Sequence, residues 1–478
     1  MHWRHLVGQT LRRPVAFTGV DDDTRAFGQL FQRFLEQIVH RSSADVGPGL
    51  VDKLEDHLGI DPLGLPVVVE QFAMHDHANV QVAIDVWLES TERPHELVGI
   101  AGSGGRHQSL TEILEMARRH RAFGLGPVDY VRVPTGVDSE RDCVRFGLYL
   151  AESGEDKVAI LMRGPHPHEG NAASLEVLAT STEATRTILT ELRRLMAEHN
   201  VFRGQVISLD PGGFDSITGP IRFHPRPNLD RVDIILPAGV LELVERQVVG
   251  IARHRQRLLD AGQHLKRGVL MYGPPGTGKT HTARYLISSL PDFTVVLLTG
   301  QGIGLVGAAC GLARMLQPAL VVLEDCDLVA EERGHHRGSN PLLFEVLDHM
   351  DGMAADADVA FVLTTNRPDL LEPALAQRPG RIDVAVEIEL PSEMARTRLF
   401  SLYGPALAAD DAIRSLVVDR TAGVTASFLK ELVRRATLLS AERGNDAPDR
   451  TDVEAALDEM LSSSDRLARS LVGGGEND

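Results

Sequence analysis

Lysine is scarce in this chain of 478 residues: 49 residues are basic, yet 44 are Arg and five are Lys. Each Lys therefore stands out. Cysteine is scarcer still. Cys143, Cys310 and Cys326 are odd in number and form no CxxC pair. That excludes a disulfide framework and a zinc ribbon, and fits a reducing cytoplasm. Positive charge is outweighed, 49 basic residues against 67 acidic, for a net charge of −18. A chain-wide nucleic-acid or anionic-membrane surface is thereby excluded, although a local basic channel is not. The segment after Met1-His2-Trp3-Arg4 lacks the apolar region of a secretory signal. Long apolar runs are missing too. Residues 293–313 carry no charge, but five Gly, Thr294, Thr299 and Gln301 make them too polar for a membrane span. A buried strand, a glycine loop and a short helix are expected there. What remains is an ordinary globular composition, 43% hydrophobic and 24% charged, long enough for two to four domains.

No internal repeat is visible. The sharpest change in composition is Asp210-Pro211-Gly212-Gly213 through Pro220, Pro225 and Pro227, with four Pro and three Gly. Such a stretch is neither a helix interior nor a central strand, and it reads as a linker. Before it, helices are expected over 24–40, 109–121 and 182–198. Strands are expected at Pro66–Val69, Leu97–Ile100, Val128–Val133, Leu148–Ala151, Val158–Met162 and Gln205–Leu209. Periodicity does not choose between α/β and α+β for this part. After the linker, an amphipathic helix over Val240–Leu259 precedes short strands buried on both faces, at Gly268–Tyr272, Thr294–Leu298, Leu320–Leu323 and Ala360–Thr364. Helices fall between them, the pattern of a doubly covered parallel sheet. From about 392 the pattern is helical only: 393–402, 410–417, 425–442 and 451–470. The expected organisation is a mixed α/β module for partner recognition at 1–225, an α/β subdomain at 226–392, a helical lid at 393–470 and a disordered tail at 471–478.

Gly273-Pro274-Pro275-Gly276-Thr277-Gly278-Lys279-Thr280 follows an expected strand and opens an expected helix. This satisfies the G-x-x-x-x-G-K-T pattern in the required context. The glycines let backbone N–H groups converge on phosphate oxygens, and the helix start adds positive potential. Lys279 is expected on the β- and γ-phosphates and the Thr280 hydroxyl on Mg²⁺, with His281 adjoining the loop. Residues 251–300 carry seven basic and two acidic residues, so a polyphosphate would meet the least acidic segment.

A second apolar strand ends in Glu324-Asp325-Cys326-Asp327. Adjacent acids at a strand tip behind a phosphate loop suit Mg²⁺ positioning and water activation. Taken alone the pattern is weak, and surface capping explains many such runs. The next strand runs into Thr364-Thr365-Asn366-Arg367-Pro368-Asp369, and Asn366 is placed to hydrogen-bond the γ-phosphate or the attacking water. Arg381 follows on the Arg378-Pro379-Gly380 turn, where a side chain projects from its own subunit. An arginine supplied in trans contributes ~10³–10⁵ in rate by neutralising transition-state charge.

Together these segments resemble the AAA ATPases, in the broad clade of the proteasomal ATPases, katanin and the valosin-containing protein. The residues that carry the likeness are Leu265–Tyr272 running into the phosphate loop, the acidic strand end, Thr364–Asp369, and Glu372-Pro373-Ala374-Leu375 through Arg381. It covers roughly residues 230–465. It implies a P-loop ATPase with a helical lid, ATP and Mg²⁺ as ligands, and a ring, usually a homo-hexamer, with ATP at subunit boundaries. Asp325 would then orient the attacking water, Glu324 hold Mg²⁺ through water, Asn366 sense the γ-phosphate and Arg381 complete the neighbouring site. Adenine is expected against the Ile234-Ile235 segment.

The departures are specific. The family usually reads Asp-Glu where this chain reads Glu324-Asp325, an order shared with the mitochondrial AAA translocase of the folded Rieske protein. The shorter Asp would position water differently. Val384 stands where many relatives carry a second arginine, and no sensor arginine stands at Gly423–Leu429. Unfoldases of the family place an aromatic-apolar-Gly tripeptide after the second strand. Here the segment reads Gly302-Ile303-Gly304-Leu305-Val306-Gly307, leaving only Leu305 and Val306 to line a pore.

His75-Asp76-His77 and His166-Pro167-His168-Glu169 lack the spacing of a metal site and read as loop histidines. His335-His336 belongs to a polar loop. Residues 51–100 hold ten acids and two bases, a solvated face or a docking surface for a basic partner. The expected activity is ATP hydrolysis that remodels or unfolds an unidentified protein client. An assembly scaffold without threading and a DNA-directed motor are the alternatives. Neither DNA nor membrane is an expected partner.

Overall fold

The computed structural model describes residues 49–90, 93–102, 105–120, 123–165, 172–210, 220–326, 356–367 and 382–471, with Leu30, Asp348 and His349 as isolated positions. The helix expected over 24–40 lies outside these residues apart from Leu30, as do His166, His168, His335, His336 and the tail after Leu471. Two compact units emerge, one of Met1–Arg132 with Asp142–Arg194, the other of Val133–Arg141 with Leu195–Asp478.

The first unit is built on an antiparallel sheet. Its strands are β1 (Val67–Phe72), β2 (His95–Ala101), β3 (Gly124–Gly126), β4 (Asp129–Pro134), β5 (Glu140–Ser153), β6 (Asp156–Arg163) and β7 (Ala173–Ala179). The order is β1-β7-β6-β5-β2-β3, and β4 pairs with β5. On one face, Phe146, Leu148, Leu150, Ala159, Leu161 and Leu178 pack against helices Leu50–Leu58 and Leu110–His120. Helix His77–Glu89 meets the opposite face, where Gln81 Nε2 donates to the Tyr149 hydroxyl at 2.9 Å and Gln81 Oε1 accepts from the Val144 N–H at 2.8 Å. Periodicity missed this helix because it is apolar around much of its circumference: Val82 and Val86 stand off the buried stripe of Val80, Ala83, Ile84, Trp87 and Leu88.

The second unit holds β8 (Val206–Leu209), β9 (Ile221–His224), β10 (Arg267–Tyr272), β11 (Thr294–Leu298), β12 (Ala319–Leu323), β13 (Val359–Thr365) and β14 (Val384–Glu387), in the order β14-β10-β13-β12-β11-β8-β9. All neighbours are parallel except β8 with β9. Alternate residues feed two cores. Leu270, Val321 and Leu323 face one, while Val269, Met271, Leu320 and Val322 face the other. Burial on both faces explains why these strands read as unbroken apolar runs.

Two expectations need correction, the domain boundary with its linker and one long helix, while the strand, glycine loop and short helix expected at 293–313 are present. The boundary at 225/226 does not hold, and the linker reading of 210–227, of which 211–219 lie outside the described residues, does not hold at 220–227, because β8 pairs in parallel with β11 and β9 closes the sheet edge. Pro220 and Pro225 flank an edge strand of four residues, a place where missing N–H donors are tolerated. The helix expected over Val240–Leu259 is segmented into Val240–Glu245, a π turn Arg246–Gly250, Ile251–Arg253 and Arg255–Asp260. Gly250 and the π turn interrupt the 3.6-residue period. The uncharged stretch 293–313 folds as β11, a turn of 3₁₀ helix at Gly300–Leu305 and the start of helix Val306–Met315. Among the described residues no helix is long and apolar enough to cross a membrane.

The C-terminal helices Glu393–Tyr403, Pro405–Ala408, Asp411–Arg420, Ala426–Glu442 and Arg450–Leu471 enclose their own core around Phe400, Leu429, Leu432, Val453 and Leu457. Ser392, Asp410 and Thr425 cap three of them through side-chain oxygens.

Candidate nucleotide site

Tyr272 closes β10, and the chain turns through Gly273–Gly278 before helix Lys279–Ser288 starts. Two glycines are dictated by space as well as by backbone angle. At Gly273, φ is 138° and a Cβ would lie 2.4 Å from the Ile388 carbonyl oxygen. At Gly276, φ is 78° and a Cβ would meet Ser427 Oγ at 3.0 Å and Thr425 Oγ1 at 3.1 Å, both at the start of the lid helix Ala426–Glu442. The Ser427 N–H donates to the Gly276 carbonyl at 3.1 Å, so the lid touches the phosphate loop directly. Gly278 is the N-cap of the following helix.

Within the loop, Pro274 and Pro275 are exposed. The Thr277 hydroxyl donates to the Pro274 carbonyl at 2.9 Å. Lys279, 6% exposed, donates through Nζ to the carbonyls of Gly273 and Pro274, both at 2.8 Å. These bonds hold the ammonium against the concave side of the loop, where the backbone supplies a cradle for phosphate. The Thr280 side chain is exposed in the first turn. His281 is half-buried, and burial pulls its pKa below the ordinary value against a backbone hydrogen bond at Asp233. Burial thus disfavours the charged imidazole beside the loop.

Strand order brings the second half of the site alongside. β13 lies between β10 and β12, with Tyr272 opposite Thr365 and Leu323 opposite Leu363. All three parallel strands therefore end on one edge of the sheet, where the residues following them converge. The Glu324 N–H donates to Leu298 at 3.0 Å. Burial and then neighbouring Asp325 raise the Glu324 pKa, while Arg284 opposes the shift. Asp325 adopts φ 52°, which among the described residues is otherwise reached only by glycine. Its N–H donates to Thr364 Oγ1 at 3.0 Å, and Asn366 Nδ2 donates to Asp325 Oδ1 at 3.4 Å. A strained carboxylate held by the neighbouring strand and touched by an Asn amide is a set of groups able to orient a water beside a phosphate.

Ile235 packs against the lid core and, with Leu236, Thr277, Pro391, Leu399 and Ala426, lines a cleft between loop and lid. Arg381 lies outside the described residues. Leu305 and Val306 do not form the projecting loop that a pore requires. Val306 and Ile303 are fully buried, Leu305 packs on the same core, and a Cβ at Gly302 would strike the Leu209 carbonyl at 2.6 Å. The β8–β9 hairpin gives these apolar side chains a surface to bury against. Three contributors escaped the sequence reading: Thr364, Arg284 and Ser427. A Thr before Thr-Asn was visible but its role depends on strand pairing, and nothing local distinguishes Ser427.

Residues 269–390 match the ATPase family associated with various cellular activities, AAA. The chain carries an AAA ATPase domain. The chain is also 32% identical over 279 residues to the ATP-dependent zinc metalloprotease FtsH 3 of Sphaerobacter thermophilus, covering 55% of each chain. It is 33% identical over 263 residues to the FtsH of Pseudothermotoga lettingae, covering 52% of this chain and 42% of that one. With the FtsH of Thermus thermophilus the identity is 32% over 242 residues, 47% of this chain and 38% of that one. The chain thus spans about half the length of these relatives or less. The AAA domain contains the phosphate loop, Glu324, Asp325 and Asn366, and ATP with Mg²⁺ is the ligand pair of such domains.

Proposed function

We propose that this chain hydrolyses ATP within a homo-oligomeric ring, a hexamer by family resemblance, and uses the cycle to remodel a protein partner in the cytoplasm. The observation that carries the reading is the convergence of the Gly273–Lys279 loop, Asp325 and Asn366 on one sheet edge. In this reading the loop N–H groups and Lys279 bind the β- and γ-phosphates, while Ile235 and the lid border the adenine. Asp325 accepts a proton from the attacking water or orients it, Asn366 bonds the γ-phosphate, and Arg381 reaches the site of the next subunit. The exposed Thr280 hydroxyl and the Glu324 carboxylate fit Mg²⁺, an oxygen-seeking cation that neutralises polyphosphate charge when bound. The relatives' names include a zinc protease. Among the described residues no three His, Cys, Asp or Glu side chains are grouped to hold a metal, and His77 Nε2 instead donates to the Val144 carbonyl at 2.8 Å.

Mixing tests the ring. Arg381→Ala subunits should bind ATP yet not turn it over, and adding Asp325→Ala subunits should restore partial activity. No restoration at any ratio would remove the trans role. Casein-like unfolded chains should stimulate turnover if the client is a polypeptide. Stimulation by DNA instead would favour a DNA-directed motor, which the net charge of −18 opposes. One observation favours a nucleotide-gated scaffold without threading: Ile303 and Val306 of the segment Gly302–Val306 are buried in the core, with Leu305 packed partly against it. Nucleotide-dependent assembly with neither stimulation would select that reading.

A further inference from the structure

In the first unit, one row of side chains crosses four strands. Gln71 of β1 is opposite Ser174 of β7, Ser174 is opposite Arg163 of β6, and Arg163 is opposite Phe146 of β5. Residues paired in this way share one face of the sheet. A pocket of about 140 Å³ opens over the row, with Arg106 and Arg145 on its wall. Three arginines lining so small a space make this a basic point in a strongly acidic chain.

Their charges are not equivalent. Arg163 is paired with Glu176 at 2.6 Å, donates to the carbonyls of Gly105, Arg106 and Gln108, and lies 4.9 Å over the Phe146 ring. It is a fixed wall whose charge is offset. Arg106 is paired with Asp129. Arg145 is half-buried and its guanidinium has no hydrogen-bond or ion-pair partner among the described residues. Among the described residues the pocket therefore keeps one uncompensated positive charge, with Gln71 and Ser174 beside it as neutral donors. A carboxylate brings one negative charge and the two oxygens that a guanidinium fork matches. A phosphate group brings about −1.5 to −2, more than this pocket offsets.

We propose that this pocket binds a carboxylate of a polypeptide partner through Arg145. The inference rests on the reading that the chain engages a protein, and owes nothing to the ATPase site. The test uses the full chain and a fluorescein-labelled decamer of glutamate, titrated by fluorescence anisotropy at low salt. Arg145→Gln should weaken binding about tenfold or more, the scale of a hydrogen-bonded charge contact. Arg145→Lys, which keeps the charge and loses the fork, should fall between. A decamer of glutamine should not bind. Equal affinity in Arg145→Gln and the parent chain overturns the pocket. So does a phosphoserine peptide bound tenfold more tightly than the glutamate peptide. An unchanged tryptophan-fluorescence melt and unchanged ATP turnover show that the variant has folded. If it has not, acetate added to the parent chain decides: failure to displace the peptide at molar excess overturns the assignment. Peptide binding that survives Arg145→Gln leaves the remodelling reading untouched, since casein stimulation of turnover judges that separately.

Discussion

In the second unit six parallel strands deliver Gly273, Asp325 and Asn366 to one edge, each at or just past the end of its own strand. In the first unit, antiparallel strands assemble Gln71, Ser174, Arg163 and Phe146 from four chain segments into one row across the sheet. A parallel sheet brings all its C-terminal ends to one side, so short local motifs meet there without further instruction. An antiparallel sheet alternates its ends, and a polar site in it depends on register, which a single residue's slip would undo. Among the described residues each unit also holds an ion pair with both side chains largely buried, and these differ too. Arg163 spends its donors on Glu176 and three carbonyls, whereas Arg267, fully buried against Asp358 at 2.7 Å, leaves Nε and Nη2 without hydrogen-bond partners among the described residues. The first pair organises the start of helix Leu110–His120, because Glu176 also accepts the Leu110 N–H at 2.6 Å. The second sits at the edge of β10 and β13 away from the nucleotide residues.

The contrast can be broken in order of effect. Lys279→Ala should lower ATP turnover by about 10²–10³-fold, the scale for removing one preorganised donor, and leave the melting of both units unchanged. Steady-state phosphate release measures it, and parental turnover would remove Lys279 from the site. Asp325→Asn should cost roughly 10²-fold or more if the carboxylate takes the proton, with nucleotide affinity retained in a filter-binding assay. In the other unit, Arg163→Ala should destabilise by about 3–5 kcal/mol, because Glu176, 5% exposed, is left charged and unpaired. Chemical denaturation followed through Trp87 reads that loss, and ATP turnover at low denaturant should be unaffected. Gly276→Ala is smaller: a left-handed φ of 78° costs a Cβ about 1–2 kcal/mol, and contact with Ser427 should appear as a raised KM for ATP.

The smallest effect is one of pH. Burial lowers the His77 pKa below 6.5, and its Nε2 donates to the Val144 carbonyl. The folded unit therefore keeps a neutral imidazole while the unfolded chain takes up a proton below about pH 6.5. Stability of the first unit should be complete above that pH and decline as pH falls toward the folded-state pKa. His77→Gln should flatten the slope between pH 7 and 5, and an unchanged slope would assign it to other groups.

The phosphate loop was legible because eight consecutive residues carry its chemistry. The strands of the parallel sheet were legible because burial on both faces leaves few polar positions in them. The segment Val240–Leu259 was misread because a π turn adds a residue that periodicity does not register. The described part of the 210–227 stretch was misread because Pro220 and Pro225 beside an edge strand look the same in sequence as two prolines in a linker. Gly302–Val306 was open to a pore role until Leu209 and Ile221 were found packed beneath it. Local order does not reveal a partner that lies about a hundred residues away.

Sequence alone determined the nucleotide chemistry. The G-x-x-x-x-G-K-T loop needs its glycines for positive φ and close backbone approach, and those demands are local. It also determined the acids that follow an apolar strand and the Asn that ends the next one. Only the tertiary structure decided that Asn366 reaches Asp325, that Ser427 of the lid touches Gly276, and that Arg163 and Arg106 are paired while Arg145 has no side-chain partner among the described residues. Those facts depend on which strands are neighbours and in what register, and burial of apolar surface over the whole unit settles both.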